Sequence, residues 1–438
     1  MELQGFSTFR IAVCDLNGLM RGKRLTALDH PKLATDQIRM PLSALNVDLW
    51  GCDIDESPLV FKTGDADGFL RPTERGLLPM PWLTQKSALV PMWMFSENGT
   101  PFSGDPRHAL AQVLDRFAKR GWQVIAATEL EFYLVDDSGS SLLPVINPTN
   151  KRRLNASDTL SLQQLDDFDA FFSDLYQSCD TLGIAAQTAT SECGVGQFEM
   201  SISHCDAMRM ADDTWLFKTL VKGLARKHGM AATFMAKPFM HDAGNGLHIH
   251  FSVLDEDGRN IFDDDSESGS ELLRYAVAGC LSSMQASTLA FAPYENSYLR
   301  LIPGAHAPTN VCWAYENRTV AIRIPAGNPK ARRIEHRVAG GDINPYLMIS
   351  LVLGAAMVGI EDEMIPPEPI NGNAYDQTFD QLALDLASAI YSFETDPVIA
   401  RILPGPLIEN FSLTKRQEAT AFGSISAEKH WETSLEKV

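Results

Sequence analysis

The sequence predicts an α+β fold, on three observations. Short runs of apolar–polar alternation recur along the chain, with the period of half-buried strands. Longer stretches carry an apolar stripe at helical spacing and stop at glycine. A break at Glu97-Asn98-Gly99-Thr100-Pro101 separates a strand-rich beginning from the rest. The boundary falls near Ser103, so the expected domains are 1–102 and 103–438. At 438 residues and 45% hydrophobic content the chain can bury a sizeable core.

In order, Phe9–Val13 reads as a strand, Asn17-Gly18 as a tight turn and Arg21–Leu25 as the partner strand; Leu89–Phe95 is another strand. Asp105-Pro106 offers a helix N-cap with proline at the first position, and Leu110, Val113, Leu114 and Phe117 supply the stripe. Thr128–Val135 alternates, with Glu129, Glu131 and Tyr133 on one side and Leu130, Phe132 and Leu134 on the other. Helices are expected over Asp166–Leu182, stopped at Gly183, and Ala211–His228, stopped at Gly229. Asp255-Glu256-Asp257-Gly258 lacks the rest of a calcium loop and reads as an acidic hairpin turn; Asp263–Glu271 reads as a solvated acidic loop. Pro345–Ile360 is the most apolar run, too short to span a bilayer comfortably, and is expected as a buried helix. Residues 379–396 are expected to be helical, and the last dozen mobile.

Acidic residues exceed basic ones by 56 to 37, a formal charge of -19, which disfavours nucleic acid and anionic membranes as partners. Seven scattered cysteines without Cys-x-x-Cys, and no basic-then-apolar leader, point to a reduced, cytoplasmic protein.

An isolated Glu-x-Glu on a strand is most often a solvated face. Here the pattern recurs. After the turn Glu192-Cys193-Gly194-Val195-Gly196, residues Gln197, Glu199 and Ser201 share one face. After Gly244-Asn245-Gly246, His248 and His250 share another; alone they are as readily core histidines as ligands. Arg300–Arg337 holds seven bases, Arg300, Arg318, Arg323, Lys330, Arg332, Arg333 and Arg337, against Glu316 and Glu335: seven minus two is +5 inside a chain of -19. A strand over Thr319–Pro325 sets Arg323 opposite aliphatic residues, and Arg333, Glu335 and Arg337 share a face. A charge run is usually solvated, but alternation with aliphatic residues points to a cavity wall for a small polyanion such as ATP. Glu129, Glu131, Glu192, Glu199, Glu335 and His248 form an oxygen-rich set with one imidazole, suited to magnesium or manganese rather than zinc. Metals beside arginines are what phosphoryl transfer requires, so the residues point to a two-metal, ATP-using enzyme.

These residues resemble the glutamine synthetase family. The resemblance is carried by Glu-Leu-Glu-Phe (129–132), Gly-Gln-Phe-Glu (196–199), Gly-Asn-Gly-Leu-His-Ile-His (244–250) and Asn-Ser-Tyr-Leu-Arg-Leu-Ile-Pro-Gly (296–304). Asn317-Arg318, Ile-Arg-Ile-Pro (322–325) and Pro-Lys-Ala-Arg-Arg-Ile-Glu-His-Arg (329–337) complete it. It implies a β-grasp-like N-terminal domain, a catalytic domain with a curved antiparallel sheet flanked by helices, and a homo-oligomer of two stacked rings, usually a dodecamer. It implies Glu131, Glu192 and Glu199 at one metal and Glu129, His248 and Glu335 at the other. Gly244, Arg300 and Arg337 would bind glutamate, His250, Arg323 and Arg333 the nucleotide, and Arg318 would stabilise the transferring phosphoryl group.

Three departures concern the acceptor. Where glutamine-forming members carry a glutamate after Pro-Gly, this chain has His306. Their ammonium-binding Asp-Gly-Ser-Ser is absent; the comparable Ser43–Trp50 offers Asp48, while Trp50 would suit a larger apolar pocket. Glu192 and Glu199 are seven apart, a spacing similar to the γ-glutamylpolyamine synthetase branch. The resemblance therefore implies glutamate and an organic amine as substrates, with ammonia-using glutamine synthetase, a guanidino kinase and a non-catalytic structural relative as alternatives. Tyr375 roughly matches an adenylylated tyrosine of some bacterial members, but its surroundings differ and that control is not expected.

Overall fold

The computed structural model describes residues 5–438. The chain builds two sheets. The first comprises β1 (Thr8–Cys14), β2 (Met20–Thr26), β3 (Arg39–Pro41), β4 (Asp67–Pro72), β5 (Leu78–Pro79) and β6 (Ser87–Phe95), in the order β2-β1-β6-β4-β3, with β5 against β6. Asn17-Gly18 turns the β1–β2 hairpin as expected, with Gly18 at φ 82°. β1 runs parallel to β6, and alternate residues Phe9, Ile11 and Val13 fill a small core of their own.

The second sheet comprises β7 (Gln123–Asp136), β8 (Leu143–Pro144), β9 (Ala186–Ser191), β10 (Gln197–Asp206), β11 (Ala231–Thr233), β12 (Leu247–Leu254), β13 (Trp313–Tyr315), β14 (Ile322–Ile324) and β15 (Ile334–His336). Its order is β13-β14-β15-β12-β7-β10-β9, so the long β7 lies between β12 and β10. Leu130, Phe132 and Leu134 of β7, Phe198, Met200 and Ile202 of β10 and Leu247, Ile249 and Phe251 of β12 are buried in one core with the helices. The period of two thus leaves the other face of all three strands to the polar set.

Helix Pro106–Ala118 starts at Asp105, whose carboxylate accepts the Arg107 amide. The Pro345–Glu361 run is a helix capped by Asn344 and buried from Pro345 to Ile360. It crosses helix Glu271–Ser282 at Gly279 and Gly359, where an added Cβ would fall 2.1 Å from a carbonyl oxygen of the facing helix. Glycine is what lets these two backbones touch. No helix among the described residues is long and apolar enough to cross a membrane.

Some expected elements differ. The predicted Asp166–Leu182 helix is broken at Phe168, between Leu162–Asp167 and Asp169–Leu182. Phe168 turns inward and packs edge-on to Phe198, and that burial outweighs helical continuity. Helix Ala207–Lys227 begins four residues early because Asp206 caps it. Of 379–396 only Leu386–Thr395 is helical; Gln381 and Leu382 instead pair with residues 309 and 310. The strand expected over Thr319–Pro325 is confined to Ile322–Ile324. The last dozen residues are packed: helix His430–Ser434 leads into Leu435 and Val438, both buried, and the Lys437 ammonium donates to the Leu49 carbonyl.

Helix Gly405–Gly423 seals the β1–β2 turn. Asn17 donates to Glu418 at 2.6 Å, Lys415 pairs with Glu418 at 2.9 Å, and Tyr294 donates to Asn17. All four side chains are buried. Each charge there has a partner, without which burial would be prohibitive.

Candidate active site

The antiparallel register of the second sheet assembles the polar face. Glu129 stands between Ser201 on β10 and His248 on β12, and Glu131 lies opposite Glu199. On the other side, His250 lies opposite Glu335, which lies opposite Arg323. Five strands thereby aim carboxylate, imidazole or guanidinium groups at one concavity. Ser201, His250, Lys330 and Arg333 line a cleft of about 700 Å³ that opens from Glu129.

Glu129 meets both histidines. Its Oε2 lies 3.2 Å from His248 Nδ1 and its Oε1 3.2 Å from His250 Nε2. Burial opposes its charge, but the two imidazoles outweigh that and hold the carboxyl far below the usual range. Burial and Arg337 push His248 below an ordinary imidazole, against the pull of Glu129 and Glu335. Glu335 is buried, yet His248, Arg337 and Arg323 keep it ionised. Arg323 reaches it at 2.9 Å, and Arg337 donates to its other oxygen.

The remaining carboxylates repel one another. Burial and the charges of Glu129, Glu131 and Glu192 push Glu199 up to about 9. Burial and Glu131 raise Glu192 to about 6. Glu129, Glu199 and His248 each bring a ligand atom within 4.8 Å of the others, as do Glu129, His250 and Glu335. Crowded hard oxygens with too little positive charge fit divalent cations such as magnesium or manganese. Glu131 and Glu192 adjoin these groups but are held elsewhere: Glu131 Oε2 accepts the Gly246 amide at 2.6 Å, and Glu192 accepts from Thr190 at 3.2 Å.

Arg300 lies across the glycine turn before β12. A Cβ at Gly244 would sit 2.6 Å from the Ala236 carbonyl oxygen and 2.8 Å from Arg300 Cγ, so that position needs glycine, while one at Gly246 would meet only the mobile tip of Arg300, 2.8 Å from Nη2. Arg300 donates to the Val338 carbonyl at 2.8 Å. Arg333 donates through Nε to His250 Nδ1 at 3.3 Å. Arg318 and His306 are exposed, on the turn before β14 and on the 303–308 loop, without a hydrogen bond or ion pair among the described residues. His306 has φ 57°.

Asp48 is not presented outward. It is buried; one oxygen accepts the Trp50 and Cys52 amides, and the other accepts from Gln417. Trp50 packs on Phe422, with ring centroids 4.9 Å apart.

Several further residues hold the site together. The Gln197 amide donates to the Gly244 carbonyl and Asn245 Oδ1 and accepts the Gly194 amide, tying the two glycine turns together. Tyr133 donates to the Ala243 carbonyl at 2.7 Å, and Asp242 accepts the Val195 amide at 2.8 Å. The alternation had placed Tyr133 and Gln197 on the polar face; only their burial reveals them as braces. Glu316, with φ 49°, receives the second Arg323 amino group, a pairing that no spacing rule anticipates.

Comparison with known proteins agrees with this geometry. The model of the family described as "Glutamine synthetase, catalytic domain" matches residues 103–434. Gamma-glutamylputrescine synthetase of Escherichia coli (strain K12) is 32% identical over 429 residues, 97% of this chain and 91% of that one. Glutamine synthetase of Methanocaldococcus jannaschii is 31% identical over 385 residues, 84% and 82% of the two chains. A solved GmaS/ADP complex superposes with a TM-score of 0.84 at 29% identity, covering 99% of this chain and 97% of that one. With the site's motifs gathered on one sheet face and the family model spanning most of its length, the chain belongs to the glutamine synthetase family.

Proposed function

We propose that the chain is an ATP-dependent carbon–nitrogen ligase joining the γ-carboxylate of glutamate to an organic amine, a polyamine or a bulkier monoamine. One observation carries the choice of acceptor. The carboxylates, histidines and arginines expected for cations and phosphate are all present, whereas the residues expected at the acceptor end are the exposed His306 and an Asp48 whose carboxylate is already hydrogen-bonded. A small ammonium ion needs fixed negative charge close by; an organic amine is held by its carbon chain as well. The putrescine ligase among the relatives supports this reading.

In the first step a glutamate γ-carboxylate oxygen attacks the γ-phosphorus of ATP, and ADP leaves with the electrons of the broken bond. In the second, the neutral amine nitrogen attacks the acyl carbon, phosphate leaves and the nitrogen loses a proton. Arg300, Arg337 and the Gly244 backbone would hold glutamate, and His250, Arg323 and Arg333 the nucleotide. Arg318 would face the transferring phosphoryl group, and His306 the entering amine. Glu129, Glu131, Glu192, Glu199, His248 and Glu335 would hold two divalent cations, magnesium or manganese, whose charge neutralises phosphate oxygens when bound. The family resemblance also favours a cytoplasmic ring assembly, a dodecamer of stacked rings, with 1–102 and 103–438 as its domains.

The test is phosphate release with ATP, glutamate and a panel of amines, with mass detection of the γ-glutamyl product. An organic amine should exceed ammonium in kcat/KM. If ammonium matches the best amine, the second reading, glutamine synthetase, prevails; the archaeal relative favours it.

A further inference from the structure

The segment after the buried helix is hydrogen-bonded to two loops at once. Tyr375 donates to the Ala307 carbonyl at 2.8 Å, one residue from His306. Asn310 donates to the Ala374 carbonyl at 3.0 Å, on the same loop. At its other edge, the Ala374 amide donates to Thr319 Oγ1 at 2.9 Å, and Asn317 donates to the Gly372 carbonyl at 2.7 Å. Asn317 and Thr319 flank Arg318 and are bonded to each other, Thr319 Oγ1 to Asn317 Oδ1 at 2.7 Å. Asn373 fixes the segment's own turn by accepting the Tyr375 amide.

From this arrangement we propose that Gly372–Tyr375 is a brace setting the acceptor loop against the Arg318 turn, with Tyr375 as a positioning residue for amine transfer. The inference rests on the ligase reading above and deepens its acceptor side. His306 and Arg318 are exposed and make no hydrogen bond of their own, so their backbones alone fix their separation, and the brace is what holds those backbones together. The two loops serve successive steps: one faces the phosphoryl group, the other the amine that displaces it. A brace between them keeps the amine's approach aligned on the acyl phosphate formed beside Arg318. Misalignment lets water compete, because an acyl phosphate that waits for its amine is hydrolysed. Burial raises the Tyr375 hydroxyl and Arg337 and Arg300 oppose it, which puts the ring within electrostatic reach of both arginines.

The test uses Tyr375→Phe and Asn317→Ala in the full chain, assayed for phosphate and γ-glutamyl amide together. Tyr375→Phe should raise the amine KM about fivefold, the factor carried by one net hydrogen bond. The KM values for ATP and glutamate should stay within about twofold, and phosphate released per amide formed should rise above one. Asn317→Ala, at the opposite end, should lower kcat more than it raises the amine KM. A merely structural tyrosine would lower the melting temperature and shift all three KM values together, with one phosphate per amide, and that result overturns the brace. So does a Tyr375→Phe enzyme indistinguishable from wild type while wild type makes amide. A wild-type protein that makes no γ-glutamyl amide from any amine overturns the ligase reading and the brace with it.

Discussion

Glu131 accepts the Gly246 amide at 2.6 Å, while Glu129, two residues earlier on the same strand, faces His248 and His250 instead. The two carboxylates therefore answer to different neighbours. Glu129→Gln removes the charge that both histidines face. It should weaken magnesium binding by at least about 10- to 100-fold, the usual cost of losing even a residue that only orients a ligand. Glu131→Gln should weaken metal binding too, and in addition raise the glutamate KM, because its oxygen fixes the glycine turn under Arg300. Magnesium titrations of both variants, with glutamate KM at saturating metal, check this; full activity in both across the titration would sink the assignment.

Glu199 makes the metal-free protein sensitive to base. Its folded pKa, about 9, lies above the ordinary value of about 4.3 that it takes in the unfolded chain. Its contribution to stability is thus fully present below about pH 4.3 and is lost as pH rises through about 9. Metal binding requires the carboxylate, so cation affinity should rise with pH over that window, with proton release. Melting curves from pH 5 to 9 should slope downward without magnesium and flatten with it. Calorimetry in two buffers of different ionisation enthalpy should register the proton; affinity independent of pH would count against the carboxylate cluster as the cation site.

His306→Glu would restore fixed negative charge to the acceptor loop. Ammonium kcat/KM should improve about fivefold over wild type, since one partly solvated charge pair is worth about 1 kcal/mol. Use of a neutral organic amine should not improve. No gain with ammonium would count against a direct role for His306.

Gly194 lies against Tyr133. A Cβ there would fall 1.7 Å from the tyrosine hydroxyl, which is itself fixed on Ala243. Gly194→Ala must therefore displace the turn that carries Glu192. Magnesium affinity should drop by about tenfold or more while circular dichroism stays that of the wild type. Unchanged affinity would show that the turn does not set the position of Glu192.

The polar face was legible because its information is local. Alternation in Thr128–Val135 and Gln197–Ile202 states which residues share a side, and the antiparallel register then brings Glu129, Ser201 and His248 into line. The buried helix at Pro345–Glu361 was equally plain, being apolar all round. The failures are tertiary. Phe168 interrupts a good helical pattern because its ring finds a better place against Phe198. Residues 380–382 abandon helix to pair with 309–311 across some seventy residues of sequence. Within the site, ligand types could be read, but partner choice could not. That Glu131 turns to a backbone amide and Glu316 to Arg323 depends on distances that no period encodes.

The bond between Asn17 and Glu418 has a consequence for synthesis. At about 5–20 residues per second, the ribosome needs roughly 20–80 s to pass from one residue to the other. Throughout that interval the β1–β2 hairpin exists without the helix whose Lys415 and Glu418 seal its turn. The β1–β2 turn must wait, with the Asn17 amide open to water, for the helix Gly405–Gly423 to emerge. The seam around Asn17 therefore closes only once the helix Gly405–Gly423 has left the ribosome.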